Sequence, residues 1–283
     1  MAKKIKIISD STSDLPKDLL EQYQIEIIPL IVMLGERSLL DGVTVFPDDL
    51  YRFYQETHTL PKTAAPSPAS FGGRFRYWTD WGYAVICFTI SSEFSASFAN
   101  ARLAAQDMPD VFVIDSRNLT TGIGLLVLRA AELAAQGMAA ADVFDEIQAM
   151  REKIRASFVV DTLQYLWKGG RCSGVAALGV NLLRLRPCIE VESGRMTVAK
   201  KYRGTLQNCV EQYLDDRLEG RTDIDLRRAF LTHSGMTDES MLKTARKHIF
   251  RLQRFEELII ARAGSTISTH CGPNTISVVF SVR

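Results

Sequence analysis

A disulfide framework and a thiolate metal site are both missing from this sequence. Its five cysteines, Cys87, Cys172, Cys188, Cys209 and Cys271, are odd in number, widely spaced and without a C-x-x-C pair. That spacing argues against a disulfide-stapled secreted domain and against structural zinc, and it fits a reducing cytoplasm. An excess of charge of either sign is lacking too. With 34 basic and 33 acidic residues the formal net charge is +1. The short clusters Lys3-Lys4, Lys200-Lys201 and Arg227-Arg228 read as solvated surface, not as the concentrated basic footprint of a nucleic-acid partner. No apolar run approaches the roughly 18 residues of a membrane span, so no integral membrane segment is expected. The opening MAKKIKIISD runs straight into a strand-like pattern without the apolar core of a signal peptide. Internal repeats, low-complexity tracts and Pro- or Gly-rich linkers are also wanting. What is plentiful is apolar: 46% of the 283 residues are hydrophobic, enough for a large core in one or two domains.

The first half alternates strand-like and helix-like segments. Strands are predicted over 5–8, 25–34, 83–90 and 111–114, and helices over 16–23, 47–55, 95–106, 122–136 and 140–155. Pro47 stands at a first helical position, where its missing N–H costs nothing. This alternation implies a mainly parallel sheet with helices on both faces. The second half reads as strands over 158–162, 229–231, 257–261 and 275–282, with helices over 206–218 and 237–251. Segment 189–202 alternates around Ser193-Gly194, the pattern of a hairpin. The fold class is therefore α/β, as a Rossmann-like domain over 1–156 and a mixed α/β domain over 157–283, packed closely.

Several clusters carry chemistry-bearing side chains. Ser9-Asp10-Ser11-Thr12-Ser13-Asp14 follows the first strand, where open α/β sheets place ligands. Its residues are equally turn and cap formers, or, less fittingly, a magnesium phosphatase loop. Thr63-Ala64-Ala65-Pro66-Ser67-Pro68 is a loop stiffened by two prolines, read alone as a capped turn that leads into a helix. Ser91-Ser92-Glu93-Phe94-Ser95-Ala96-Ser97 opens a helix, where free N–H groups favour an anion or simply over-supply an N-cap. Gly122-Ile123-Gly124 lacks the third glycine of a dinucleotide fingerprint, because Val occupies position 127. Arg171, after Gly169-Gly170, and Arg203 offer planar forks for an anion, or are surface arginines. His270, before Cys271-Gly272-Pro273-Asn274, fits a general base, an anion partner or a turn residue. His233 and His270 lack a third ligand at usable spacing, so no metal is expected.

These pieces, in this order, resemble the DegV family. The matching motifs are Ser9-Asp10-Ser11-Thr12-Ser13-Asp14-Leu15, Thr63-Ala64-Ala65-Pro66-Ser67, Ile90-Ser91-Ser92-Glu93-Phe94-Ser95, Val113-Ile114-Asp115-Ser116 with Gly122 and Gly124, Leu166-Trp167-Lys168-Gly169-Gly170-Arg171, Arg186-Pro187 and His270-Cys271-Gly272-Pro273. They span nearly the whole chain. The resemblance implies a two-domain DegV-like fold that binds a single long-chain fatty acid such as hexadecanoate, its carboxylate between the domains and its tail in an apolar tunnel. It implies that Thr63 and Ser95 hold the carboxylate, with Ser92, Arg171, His270 and Arg203 as further head-group candidates. It also implies a non-catalytic, cytoplasmic carrier without a cofactor, serving a separate fatty acid kinase. The sequence departs from the family pattern at Ala64-Ala65, where Ser-Gln is usual, at Phe94 for Leu, at Ala96 for Gly, and at Cys271 and Asn274 for Thr and Gly.

Two other readings stand beside the carrier. A serine hydrolase of lipid esters would use Ser95 as nucleophile and His270 as base. The nucleophile elbow G-x-S-x-G is not there, because Glu93 and Ser97 occupy the glycine positions. A regulatory protein with a structural lipid is the third.

Overall fold

The computed structural model describes residues 3–172, 185–236 and 238–283. The first half runs β1 (Ile5–Asp10), a 3-10 turn (Ser11–Ser13), α1 (Lys17–Gln22), β2 (Glu26–Ile28), β3 (Ile31–Leu34), β4 (Arg37–Leu40), α2 (Pro47–Thr57), β5 (Lys62–Ala64), α3 (Pro68–Asp80), β6 (Ala84–Thr89), α4 (Ser97–Ala104), β7 (Val111–Asp115), α5 (Thr121–Ala135) and α6 (Ala140–Arg151). The second half continues with β8 (Ile154–Val159), α7 (Gln164–Gly169), β9 (Leu185–Glu192), β10 (Arg195–Arg203), α8 (Leu206–Leu218), β11 (Ile224–Ser234), α9 (Glu239–Leu252), β12 (Glu257–Arg262), α10 (Ser265–Cys271) and β13 (Thr275–Val282).

The strands of the first half pair in parallel in the order β2-β1-β6-β7. Their side chains alternate between two buried faces, as the two-residue period of a strand requires. Ile8, Val85, Cys87 and Val113 pack with Phe71, Phe75 and Ala101 of α3 and α4. Ile7, Ile86, Phe88 and Ile114 face the opposite way, toward Ile123, Leu126 and Val127 of α5. Burial on both faces explains the near-continuous apolar runs of these strands. The second sheet is mixed, in the order β10-β9-β8-β13-β11-β12, and only the β11–β12 pair is parallel. One of its faces packs on α5, and the other is covered by α8 and α9 through Val210, Leu214, Leu242 and Ile249. Helix α5 is thus buried on nearly every side, and one apolar core runs continuously from sheet to sheet.

A third sheet, β4-β3-β5, is antiparallel and small. The single strand predicted over 25–34 is in fact two. Pro29 has no N–H to donate to a ladder, and the chain changes sheets there, from β2 into β3. The helix predicted to 155 stops at Arg151, and β8 begins at Ile154 and ends at Val159, earlier than the strand predicted over 158–162. The hairpin is where the sequence puts it. Ser193 and Gly194 both have positive φ, 48° and 81°, as the twist of a two-residue turn demands. Position 237, where the α9 helix is predicted to begin, lies outside the described residues.

Candidate functional site

The short helix α10 packs against the 3-10 turn after β1 and against β3, β5 and α7, and the site is built at that junction. Asp10 ends β1 and caps the 3-10 turn, accepting from Thr12 N at 3.1 Å, and it also accepts from Ile90 N at 2.9 Å. Burial pushes its carboxyl up to about 6, against the pull of these hydrogen bonds. Asp14, in the left-handed region with φ 49°, accepts from Thr120 Oγ1 at 2.6 Å and from Gly264 N at 2.9 Å. Burial holds its carboxyl well above the usual range. Asp41 accepts from Ser11 Oγ at 2.9 Å, Ser265 N at 2.8 Å and Thr266 N at 3.2 Å. The serine- and aspartate-rich loop after β1 therefore turns the chain, while Asp14 and Asp41 together supply acceptors to the start of α10.

A cavity of about 270 Å³ opens beside that helix. Its polar lining comes from Thr63 in the middle of β5, Ser95 in the turn before α4, Arg171 after α7, and Thr266 and His270 on α10. Its apolar lining includes Leu30, Ile90, Phe94, Leu119, Leu166 and Ile267. Thr63 Oγ1 and His270 Nε2 are 2.8 Å apart. Burial, helped by the charge of Arg171, draws the His270 imidazole down to about 4, so it is neutral at neutral pH. Gly169 makes room for that ring: a Cβ there would stand 2.7 Å from His270 Nδ1. Ser95 Oγ lies 2.9 Å from Ser97 Oγ and accepts from Ser97 N at 3.2 Å. Arg171 is exposed at the rim and donates to Gly169 O at 2.6 Å.

Four of the sequence-nominated residues, Thr63, Ser95, Arg171 and His270, thus line one cavity. Two do not. Ser92 turns away and donates from Oγ to Asp115 Oδ2 at 2.6 Å, tying the end of β6 to the end of β7. Arg203 sits at the end of β10, exposed and in register with Leu185. His270 itself lies in the last turn of α10, a helix with no strong signal in the sequence. Thr266 stands four residues before His270, which puts both on one helix face.

The remaining motifs have structural roles. A Cβ at Gly122 would meet Asn118 Oδ1 at 2.1 Å, and one at Gly124 would meet Leu15 Cδ2 at 2.9 Å. These glycines let the start of α5 pack tightly; they do not form a phosphate turn. His233 lines a different cleft, with Tyr51 and Arg262. Among the described residues, no group of three or more His, Cys, Asp or Glu is arranged to hold a metal. No described helix is long and apolar enough to cross a membrane.

A family model described as "Uncharacterised protein, DegV family" matches residues 4–283. The chain belongs to the DegV family. A DegV domain-containing protein of Caldanaerobacter subterraneus subsp. tengcongensis is 31% identical over 99% of this chain and 100% of its own length. A fatty acid-binding protein of Thermotoga maritima is 31% identical, with 96% of each chain covered. Among solved structures, that of a fatty-acid-binding DegV family protein from Thermus thermophilus matches with a TM-score of 0.89 at 31% identity, covering 99% of this chain and 100% of the other. DegV of Bacillus subtilis, described as a fatty acid binding protein, matches with a TM-score of 0.85 at 26% identity over the whole of both chains. The α/β architecture, a parallel sheet with a second, mixed sheet, is therefore that of the DegV fatty-acid-binding proteins.

Proposed function

We propose that this protein binds one long-chain fatty acid, with the carboxylate at Thr63 and Ser95 and the tail along the apolar wall. The observation that carries the reading is the Thr63–His270 pair standing inside a cavity otherwise walled largely by aliphatic and aromatic side chains. Such a wall suits a tail, since burying each methylene gains about 0.8 kcal/mol and a long chain about 10 kcal/mol in total. Docking and ordering subtract roughly 4 kcal/mol or more. The carboxylate must find donors, because an unpaired buried charge is prohibitive. Hydroxyls and a neutral imidazole supply them with little fixed charge. Arg171 adds a cation at the rim, and exposed Arg203 adds another outside it.

In this reading the protein is a cytoplasmic carrier that presents the head group to a separate kinase, which phosphorylates the carboxylate. Hydrolysis is disfavoured by the geometry. His270 Nε2 engages Thr63 and not Ser95, and an imidazole drawn down to about 4 is a weak base. Mass spectrometry of the purified protein, native and then denatured with organic extraction, tests the proposal. The expected result is a fatty acid at about one per chain, reduced in the Thr63→Val, Ser95→Ala double variant. A clean unliganded mass, with no uptake of saturated or unsaturated fatty acids on addition, overturns it.

A further inference from the structure

Helix α10 carries four hydroxyl side chains, and three of them have backbone acceptors. Ser265 Oγ donates to Val45 O at 3.1 Å, Ser268 Oγ to Ala263 O at 3.2 Å and Thr269 Oγ1 to Ser265 O at 2.9 Å. Thr266 differs. Its Oγ1 is buried and has no hydrogen-bond partner among the described residues, although the residue is only 4% exposed. A buried orphan hydroxyl is rare in folded proteins and calls for a reason. Capping is not that reason. The N–H groups at the start of α10 are already taken by Asp14 and Asp41, which reach across from the first half of the chain. Nor does Thr266 follow the common habit of a helical threonine, bonding back to the preceding turn as Thr269 does.

Its position supplies the reason. Thr266 and His270 are four residues apart on one face of α10, and both line the cavity that holds Thr63 and Ser95. Among the described residues, His270 Nδ1 is a second buried atom on that face with no hydrogen-bond partner. A carboxylate has two oxygens and about four lone-pair directions, so Thr63 and Ser95 alone do not saturate it. We infer that Thr266 is a further head-group ligand, donating its hydroxyl to the bound carboxylate from the same face of α10 as His270. The inference rests on the fatty-acid reading above. It gives Asp41 and Asp14 a positioning role, because they fix the first turn of the helix from which Thr266 projects.

The test is competitive binding of hexadecanoate and of hexadecanol, which has the same tail without the carboxylate, to wild type, Thr266→Val and Thr266→Ser. Thr266→Val keeps the shape and removes the donor. Hexadecanoate affinity is expected to fall about tenfold in Thr266→Val and less than threefold in Thr266→Ser, while hexadecanol affinity changes less than twofold in either. Unchanged hexadecanoate binding by Thr266→Val, or an equal loss for acid and alcohol, overturns the assignment and leaves the carrier reading intact. If wild type itself takes up no hexadecanoate, the carrier reading fails and the assignment falls with it. Should Thr266→Val melt early, Thr266→Ala is read against the same expectations.

Discussion

Replacing Asp41 with alanine strips the start of α10 of its main acceptor. Asp41 is 2% exposed and receives three donors, Ser11 Oγ, Ser265 N and Thr266 N. Each buried donor left without an acceptor costs about 1–3 kcal/mol. Water entering the vacated space offsets part of that. So does the easing of repulsion on Asp10 and Asp14, whose carboxyls are raised first by burial and in smaller part by the charge of Asp41. A single N-cap loss is worth about 1 kcal/mol, and breaking a buried charged network about 3–5 kcal/mol. The expected destabilisation is therefore about 3 kcal/mol, read as a urea midpoint lowered by about 1 M. Because a domain has roughly 5–15 kcal/mol in hand, the variant still folds at 25 °C. Its hexadecanoate affinity should fall as well, since Thr266 and His270 ride on the helix that Asp41 holds. A loss under about 0.5 kcal/mol, with fatty-acid binding intact, would refute the claim that this carboxylate organises the site.

Three further outcomes follow from the same geometry. His270 is drawn down to about 4 by burial and by Arg171, so between about 4 and the ordinary 6.5 the unfolded chain binds a proton that the folded chain refuses. His270 therefore adds stability above pH 6.5 that is lost as pH falls toward 4, by about 3 kcal/mol, and the difference between wild type and His270→Gln in urea unfolding at pH 4.5 and 7 should show it; a pH-independent difference contradicts the account. Gly169→Ala puts a methyl 2.7 Å from His270 Nδ1, displacing the buried ring from Thr63; hexadecanoate affinity should fall about tenfold and stability by about 1–3 kcal/mol, and unchanged affinity contradicts the account. Glu93→Ala breaks the exposed pair with Arg195 beside the β9–β10 turn and should leave the thermal unfolding midpoint nearly unchanged, a clear drop marking that turn as a stability element.

What the sequence discloses depends on how local the cause is. The strand periods, the Ser193-Gly194 turn and the α8 bounds are set by neighbours a few residues apart, and all three are legible. Pro29 splits a ten-residue apolar stretch between two sheets, and a run of Ile, Leu and Val around it hides the break. Helix α10 is opaque for a different reason. Its Ser- and Thr-rich sequence is a weak helix former, and its acceptors come from Asp14 and Asp41, more than 220 positions earlier. The site follows the same rule. Read alone, Thr63 is a capped turn, Ser95 an N-cap or anion site, Arg171 an anion fork or surface residue, and His270 a general base, an anion partner or a turn residue. Only the order of their motifs pointed to a shared ligand, and folding is what gathers them around one cavity. Thr266 had a signal in its spacing from His270, but that spacing means nothing until the segment is known to be helical.

The most direct test of the account is a crystal structure of the protein with hexadecanoate. The prediction is a carboxylate within about 3.2 Å of Thr63 Oγ1 and Ser95 Oγ, with the tail against Ile90, Leu119 and Leu166. A carboxylate bound away from both hydroxyls, or an empty cavity at saturating ligand, would contradict it.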